Sequence, residues 1–158
     1  MTEKLTLRKI TDKNDRSWAQ ICQWQWQWWG EKTGLNWNRL VQFMEHSLLE
    51  ERVPLTIAVE IEEELIGYYQ LQMNNLKVRP DYYPWLANVY LDEKWRGKGF
   101  FRRMVEDVPR LMGEIGLSEI YVLTKKEGFY EQYGWEEVER ANDYRADDLL
   151  RIIYRLKI

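Results

Sequence analysis

The sequence predicts an α/β fold: a mixed, largely antiparallel sheet flanked by helices on both faces, in a single domain over residues 1–158. Three observations lead there. Segments with the two-residue alternation or apolar density of strands are interleaved with segments whose apolar residues recur at helical spacing. Two β-rich runs, 55–61 and 65–73, are joined by Glu62-Glu63-Glu64, the pattern of an antiparallel hairpin with an acidic tip. An apolar strand at 85–91 leads into a glycine-bearing turn, Arg96-Gly97-Lys98-Gly99-Phe100-Phe101, which opens an amphipathic helix. With 158 residues, 45 % of them hydrophobic, the chain can bury one substantial core and is too short for two ordinary domains.

The elements follow in order. Residues 4–10 alternate Leu5, Leu7 and Lys9 against Thr6, Arg8 and Ile10, which suits a short edge strand. Ser17 and Gln20 stand at capping-box spacing, and Trp18, Ile21, Cys22, Gln25, Trp28 and Trp29 share one helical face before Gly30 stops the turn. A helix is predicted there. The competing reading is a strand, because Trp24, Trp26 and Trp28 alternate with Gln23, Gln25 and Gln27. Asn36 caps a second helix, in which Trp37, Leu40, Val41, Met44 and Leu48 recur at i, i+3, i+4, i+7 and i+11, and Pro54 ends the region. The hairpin and a loop over 74–83 then lead to the strand at 85–91. Beyond the glycine turn, Phe101, Met104, Val105, Val108, Leu111 and Met112 form the buried stripe of a third helix. Pro109 lies inside that stripe and lacks a backbone donor, which predicts a kink or an early end. A strand at 120–123, a short helix at 127–133 stopped by Gly134, and strands at 135–139 and 149–156 complete the chain.

Composition excludes several function classes. A net charge of −3 and a pI near 5.4 argue against a surface for polyanions, so no nucleic-acid partner is expected. Residues 1–20 carry charges throughout with no apolar h-region, and no stretch approaches the ~18 apolar residues of a membrane span. Cys22 is the single cysteine, and no Cys/His cluster has metal-ligand spacing. The expectation is a soluble, cytoplasmic, metal-free protein.

Against this acidic background, Arg96, Lys98, Arg102 and Arg103 gather around the glycine turn. A strand that stops at such a turn leaves backbone N–H groups facing outward at a helix N-terminus, where the helix dipole also favours an anion. Gly97 and Gly99 let phosphates approach the backbone closely. The spacing matches neither G-x-x-x-x-G-K-[ST] nor G-x-G-x-x-G with a ribose-binding acid. Another pyrophosphate carrier remains, and coenzyme A is the leading one.

Residues 87–139 resemble the GNAT superfamily of acyl-CoA-dependent N-acyltransferases. In that family a strand ends in a bulge, an R-x-x-G-x-[GA] turn follows, and a later F-Y-E-x-x-G-[FW] segment forms a short helix and strand. Here Asn88-Val89-Tyr90-Leu91-Asp92 is followed by Arg96-Gly97-Lys98-Gly99-Phe100-Phe101, and the later segment is Phe129-Tyr130-Glu131-Gln132-Tyr133-Gly134-Trp135. Phe101 departs from the family's small residue, so its side chain must point into the core or aside for its N–H to stay free. The family's asparagine upstream of the tyrosine has no clear counterpart among Thr124, Lys125 and Lys126.

The resemblance implies a GNAT-like fold, acetyl-CoA as cosubstrate and a set of roles. Arg96, Gly97, Lys98, Gly99, Phe100 and Phe101 would bind the pyrophosphate. The backbone of Tyr90 and Leu91 would pair with the pantetheine arm and thioester carbonyl where neighbouring strands splay apart. Tyr130 matches the tyrosine that protonates the departing thiolate, and a phenol with pKa near ~10 suits that task; the alternative is a packing role, with Tyr133 expected as the core member. The acceptor pocket would involve the first two helices, so Trp24, Trp28 and Asn88 are candidate substrate-binding residues, aromatic faces being good partners for alkylammonium groups. The same tryptophans equally suit core packing, and Trp24 and Trp26 a homodimer contact. No general base stands out: Asn88 holds the polar slot on the strand, Asp81, Asp92, Glu60 and Glu62-Glu63-Glu64 are nearby candidates, and His46 reads as a surface residue. The function these features imply is N-acetyl transfer from acetyl-CoA to a primary amine of a small molecule. Two alternatives stand beside it: a catalytically silent acyl-CoA-binding sensor or interaction module, and a sugar- or peptide-binding surface on the tryptophan run.

Overall fold

The structure, a computed structural model, describes residues 3–142 and 150–158. Its elements run β1 (Leu5–Ile10), α1 (Trp18–Gln25), α2 (Trp37–Glu45), β2 (Leu55–Ile61), β3 (Glu64–Gln72), β4 (Trp85–Leu91), α3 (Phe100–Glu106), α4 (Val108–Glu114), β5 (Glu119–Thr124), β6 (Glu136–Asn142) and β7 (Leu150–Lys157). The strands are ordered β1-β2-β3-β4-β5-β7-β6. The pairs β1–β2, β2–β3, β5–β7 and β6–β7 are antiparallel and β4–β5 is parallel, so the sheet is mixed and mostly antiparallel, as the sequence predicts. No helix among the described residues is long and apolar enough to cross a membrane. Contacts gather into two compact units. One holds the described residues up to Leu71 with Asn88–Phe100, the other Gln72–Ala87 with the described residues from Phe101 onward.

In the first unit, β2 is buried along its whole length between β1 and β3. The β2–β3 hairpin closes through Glu62 and Glu63, whose φ angles of +48° and +69° supply the left-handed twist of a two-residue turn without the usual Asn-Gly. On one side of these strands Ala58 and Tyr68 pack with Ile10, Trp18, Ile21, Cys22, Trp24, Leu40 and Met44, a core contributed by both helices. Burial pushes the Cys22 thiol up to about 12, so it is an inert core member.

Two sequence expectations about α1 change here. Ser17 does not act as a side-chain cap; its hydroxyl donates to Glu60 at 3.3 Å. Glu60 is 3 % exposed and receives Arg8 at 2.7 Å and Arg16 at 3.0 Å, so the serine serves a buried carboxylate instead. The predicted apolar stripe also loses phase. After Gln25 the backbone continues as a π turn, Trp26–Gly30, followed by a 3-10 turn, Glu31–Thr33. A wider turn rotates later residues away from the 3.6-residue extrapolation. Trp28 is therefore 43 % exposed, whereas Trp24, three residues after Ile21 in regular α-helix, is buried, and the strand reading of this run is overturned. Asn36 caps α2 as predicted, its Oδ1 accepting from the Arg39 N–H at 2.9 Å.

In the second unit, the predicted third helix is two: α3 ends at Glu106, and Pro109 stands in the first turn of α4, where a missing N–H costs nothing. Trp85 and Leu86 of β4 pair with Tyr121 and Val122, and Leu76, Trp85, Tyr121 and Ile153 form the core there. Tyr130–Tyr133 is a 3-10 turn ended by Gly134 at φ +86°. The last strand's predicted start at Leu149 lies outside the described residues; β7 is described from Leu150.

Candidate active site

The end of β4 and the turn after it belong to the first unit. Asn88 adopts φ +53°, the left-handed region, in mid-strand. Among non-glycine residues asparagine tolerates that region well, and the distortion falls on the strand where the resemblance calls for a bulge. Across from it, β3 carries Gly67, where an added Cβ would strike the Tyr90 carbonyl oxygen. Only glycine lets β3 come that close to Tyr90. Beyond Asn88, the Asp92 N–H donates to the Ile66 carbonyl of β3 at 2.8 Å.

The pyrophosphate candidates follow directly. Gly97 and Gly99 have φ +74° and +85°, and nothing lies within 4 Å of a Cβ placed on either. These glycines are required by backbone conformation, and the turn around them is open. Arg96 is anchored: its Nε donates to the Leu91 carbonyl at 2.8 Å and its guanidinium lies 5.5 Å from the Tyr90 ring centre. Lys98 Nζ lies 5.4 Å from the Trp95 ring, which in turn meets Phe100 edge-on at 5.5 Å. Neither Arg96 nor Lys98 pairs with a carboxylate among the described residues, so both charges are available to an anion. Arg102, counted with them from sequence, is instead paired with Glu106 at 3.1 Å.

Trp24, Trp28 and Asn88 come together on one side of β4. Tyr90 meets Trp24 at 5.1 Å, Trp28 at 5.9 Å and Tyr68 at 6.0 Å between ring centres. Asn88 Nδ2 donates to Gln70 Oε1 at 2.7 Å, and Gln70 stands on the same face of β3 as Tyr68. The group is graded from the buried Trp24 through half-buried Tyr90 to exposed Trp28. Sequence reasoning missed Gln70 and its partner Thr56. The available signal was a pair of polar residues at inward positions of otherwise apolar strands. Beside Trp24 a cavity of about 410 Å³ is lined by Leu65, Glu63, Glu64, Asp92 and Lys94 among others. Its charges are of both signs, and Lys94 already pairs with Glu64 at 2.5 Å.

The remaining base candidates are committed or exposed. Glu60 is held by Arg8 and Arg16, Asp81 pairs with Arg79 at 2.7 Å, and His46 ends α2 on the surface. No group of three His, Cys, Asp or Glu side chains is placed to hold a metal among the described residues.

The second unit holds Tyr130 and Phe101. Tyr130 is 3 % exposed and packs edge-on against Phe129 and Trp135, while Tyr133 is half-buried. This reverses the expectation that Tyr133 is the core member, because it is Tyr130 that packs between Phe129, Trp135 and Tyr154. Burial raises the Tyr130 phenol above its ordinary value of 10.0, so it keeps its proton at neutral pH. Among the described residues its hydroxyl has no hydrogen-bond partner. Phe101 meets Phe129 at a tilt, 5.4 Å between ring centres, with Lys126 Nζ 3.9 Å from the Phe101 ring centre. The bulky residue is thus turned aside, one of the two outcomes the sequence allowed.

With the geometry in place, comparison with known proteins adds a lineage. A family model described as "Acetyltransferase (GNAT) family" matches residues 18–135. An uncharacterized N-acetyltransferase of Chlorobaculum tepidum is 38 % identical over 48 residues, 30 % of this chain and 31 % of the relative, so the match spans about a third of that protein. Among solved structures, an aminoglycoside 6'-acetyltransferase type Ii superposes with TM-score 0.71 at 17 % identity, covering 96 % of both chains. An aminoglycoside 6'-N-acetyltransferase complexed with coenzyme A gives 0.70 at 14 % identity, again covering 96 % of both. A spermidine N-acetyltransferase chimera involving Vibrio cholerae gives 0.71 at 18 % identity, covering 97 % of this chain and 95 % of the other. At these identities the likeness is one of fold.

Proposed function

The chain belongs to the acetyltransferase (GNAT) family, and from that premise we propose that it transfers an acetyl group from acetyl-CoA to a primary amine of a small molecule. The observation that carries the proposal is the open turn after β4, with two left-handed glycines and two cations that lack carboxylate partners among the described residues. That turn fits a diphosphate: unfilled space lies over its backbone, and Arg96 is fixed in place by the Leu91 carbonyl.

When bound, acetyl-CoA supplies an acetyl thioester. The residues at 96–101 hold its diphosphate through main-chain N–H groups and the charges of Arg96 and Lys98. Tyr90 and Leu91 align its arm along the end of β4. Trp24, Trp28 and Asn88 receive the acceptor, the aromatic faces favouring its cationic form on approach and the asparagine orienting it. The acceptor must lose one proton to become a nucleophile, and with Glu60 held by two arginines that proton leaves to solvent. Tyr130 keeps its phenolic proton and delivers it from Oη to the departing thiolate, so the products are an amide and a free thiol.

The test is to incubate the protein with acetyl-CoA and a panel of primary amines, following thiol release. Turnover with at least one small amine is expected. Coenzyme binding with no amine acetylated would favour the silent, sensing alternative, and no coenzyme binding would remove both.

A further inference from the structure

A buried polar relay ends at Asn88 of β4, and its direction is fixed by chemistry. Thr56 and Gln70 face each other across β2 and β3, and neither has measurable exposure. The Thr56 hydroxyl gives its one proton to the Ser47 carbonyl at 2.7 Å. Toward Gln70 it can therefore only accept, and Gln70 Nε2 donates to it at 3.0 Å while also facing Met44 Sδ at 3.8 Å. With its nitrogen so used, Gln70 presents Oε1 to β4, where Asn88 Nδ2 donates at 2.7 Å. Each amide is thus oriented by the one before it, starting from a main-chain carbonyl that cannot change sides. The far end is Asn88 Oδ1. Asn88 is half-buried, and among the described residues nothing donates to that oxygen.

We infer that this relay holds the Asn88 amide with Oδ1 presented as the hydrogen-bond acceptor for an N–H of the substrate amine, with Gln70 and Thr56 as positioning residues. The inference rests on the transferase reading and goes beyond it by assigning an atom and a support. Asn88 lies on the face that carries Trp24, Tyr68, Tyr90 and Trp28, so an amine reaching Oδ1 has aromatic rings beside its carbon chain. An N–H donated to Oδ1 leaves the nitrogen lone pair free for the acetyl carbon. A flipped amide would present N–H donors instead and tie up the nitrogen lone pair needed for attack, so a single reversed hydrogen bond in the interior would abolish the site.

The experiment follows the Asn88 side-chain amide cross-peaks by NMR while n-propylamine is added, alongside the amine acetylation assay. In the wild-type protein those peaks are expected to shift saturably. Thr56→Val removes the hydroxyl that sets the relay's direction; it is expected to weaken amine binding and raise the amine KM about tenfold, with the acetyl-CoA KM unchanged. Thr56→Ser is expected to restore both. Acetylation of the amine with the Asn88 peaks unmoved would overturn the inference, as would wild-type amine affinity in folded Thr56→Val. Should Thr56→Val fail to fold, the wild-type shift decides. A saturable shift without any turnover would support the relay and refute the transferase reading; neither shift nor turnover would remove both.

Discussion

At the scale of single residues the proposed chemistry turns on the phenolic proton of Tyr130. Tyr130 lies among Phe129, Trp135 and Tyr154, and burial alone raises its phenol. The sign is worked out simply: burial disfavours the phenolate, so the acid form persists above the ordinary value of 10.0. The rate is therefore expected to show no alkaline loss from this group below pH 10. Tyr130→Phe removes the proton and little packing, so kcat is expected to fall about a hundredfold with acetyl-CoA affinity unchanged, measured by steady-state kinetics and calorimetry. The sequence made Tyr130 legible through the F-Y-E motif, but it pointed to Tyr133 for the core. Tertiary packing on Phe129, Trp135 and Tyr154 decides which of two tyrosines three positions apart is buried, and sequence periodicity does not resolve a one-turn 3-10 segment.

At the scale of elements the β4 end and its turn are a backbone device. Gly97 and Gly99 are held at positive φ in open space, so a β-branched residue there is strained by conformation, about 1–2 kcal/mol each, without any clash. Gly97→Val and Gly99→Val are expected to lower Tm by a few degrees and to weaken acetyl-CoA at least tenfold. Gly113→Ala is the contrast, since Gly113 lies within α4 at ordinary φ with free space around it. It is expected to raise Tm slightly and leave acetyl-CoA affinity alone, in the same thermal and calorimetric measurements. Most element boundaries were legible because hydrophobic period and punctuation agree, as at Asn36, Pro109 and the acidic hairpin tip. The π turn after Gln25 was not legible. It changes the phase of a helix without changing its composition, and so turned Trp28 out of the predicted buried face.

At the scale of the whole molecule the account joins an acidic chain to an anionic ligand. A net charge of −3 gives no general attraction for phosphate, so affinity must come from local amides and from Arg96 and Lys98. The mixed sheet and the family were legible from two motifs in the right order. The Asn88–Gln70–Thr56 relay was not, because it depends on which residues the register of β2 and β3 places face to face. The central claim is that the turn at 96–101 grips a diphosphate. It is tested most directly by titrating the wild-type protein in a calorimeter with acetyl-CoA and, separately, with S-acetylpantetheine, which carries the same thioester without the diphosphate. Acetyl-CoA binding at least about a hundredfold tighter, a difference near 2.7 kcal/mol, is the expected result; equal affinities, or no heat from acetyl-CoA at millimolar concentration, would contradict it.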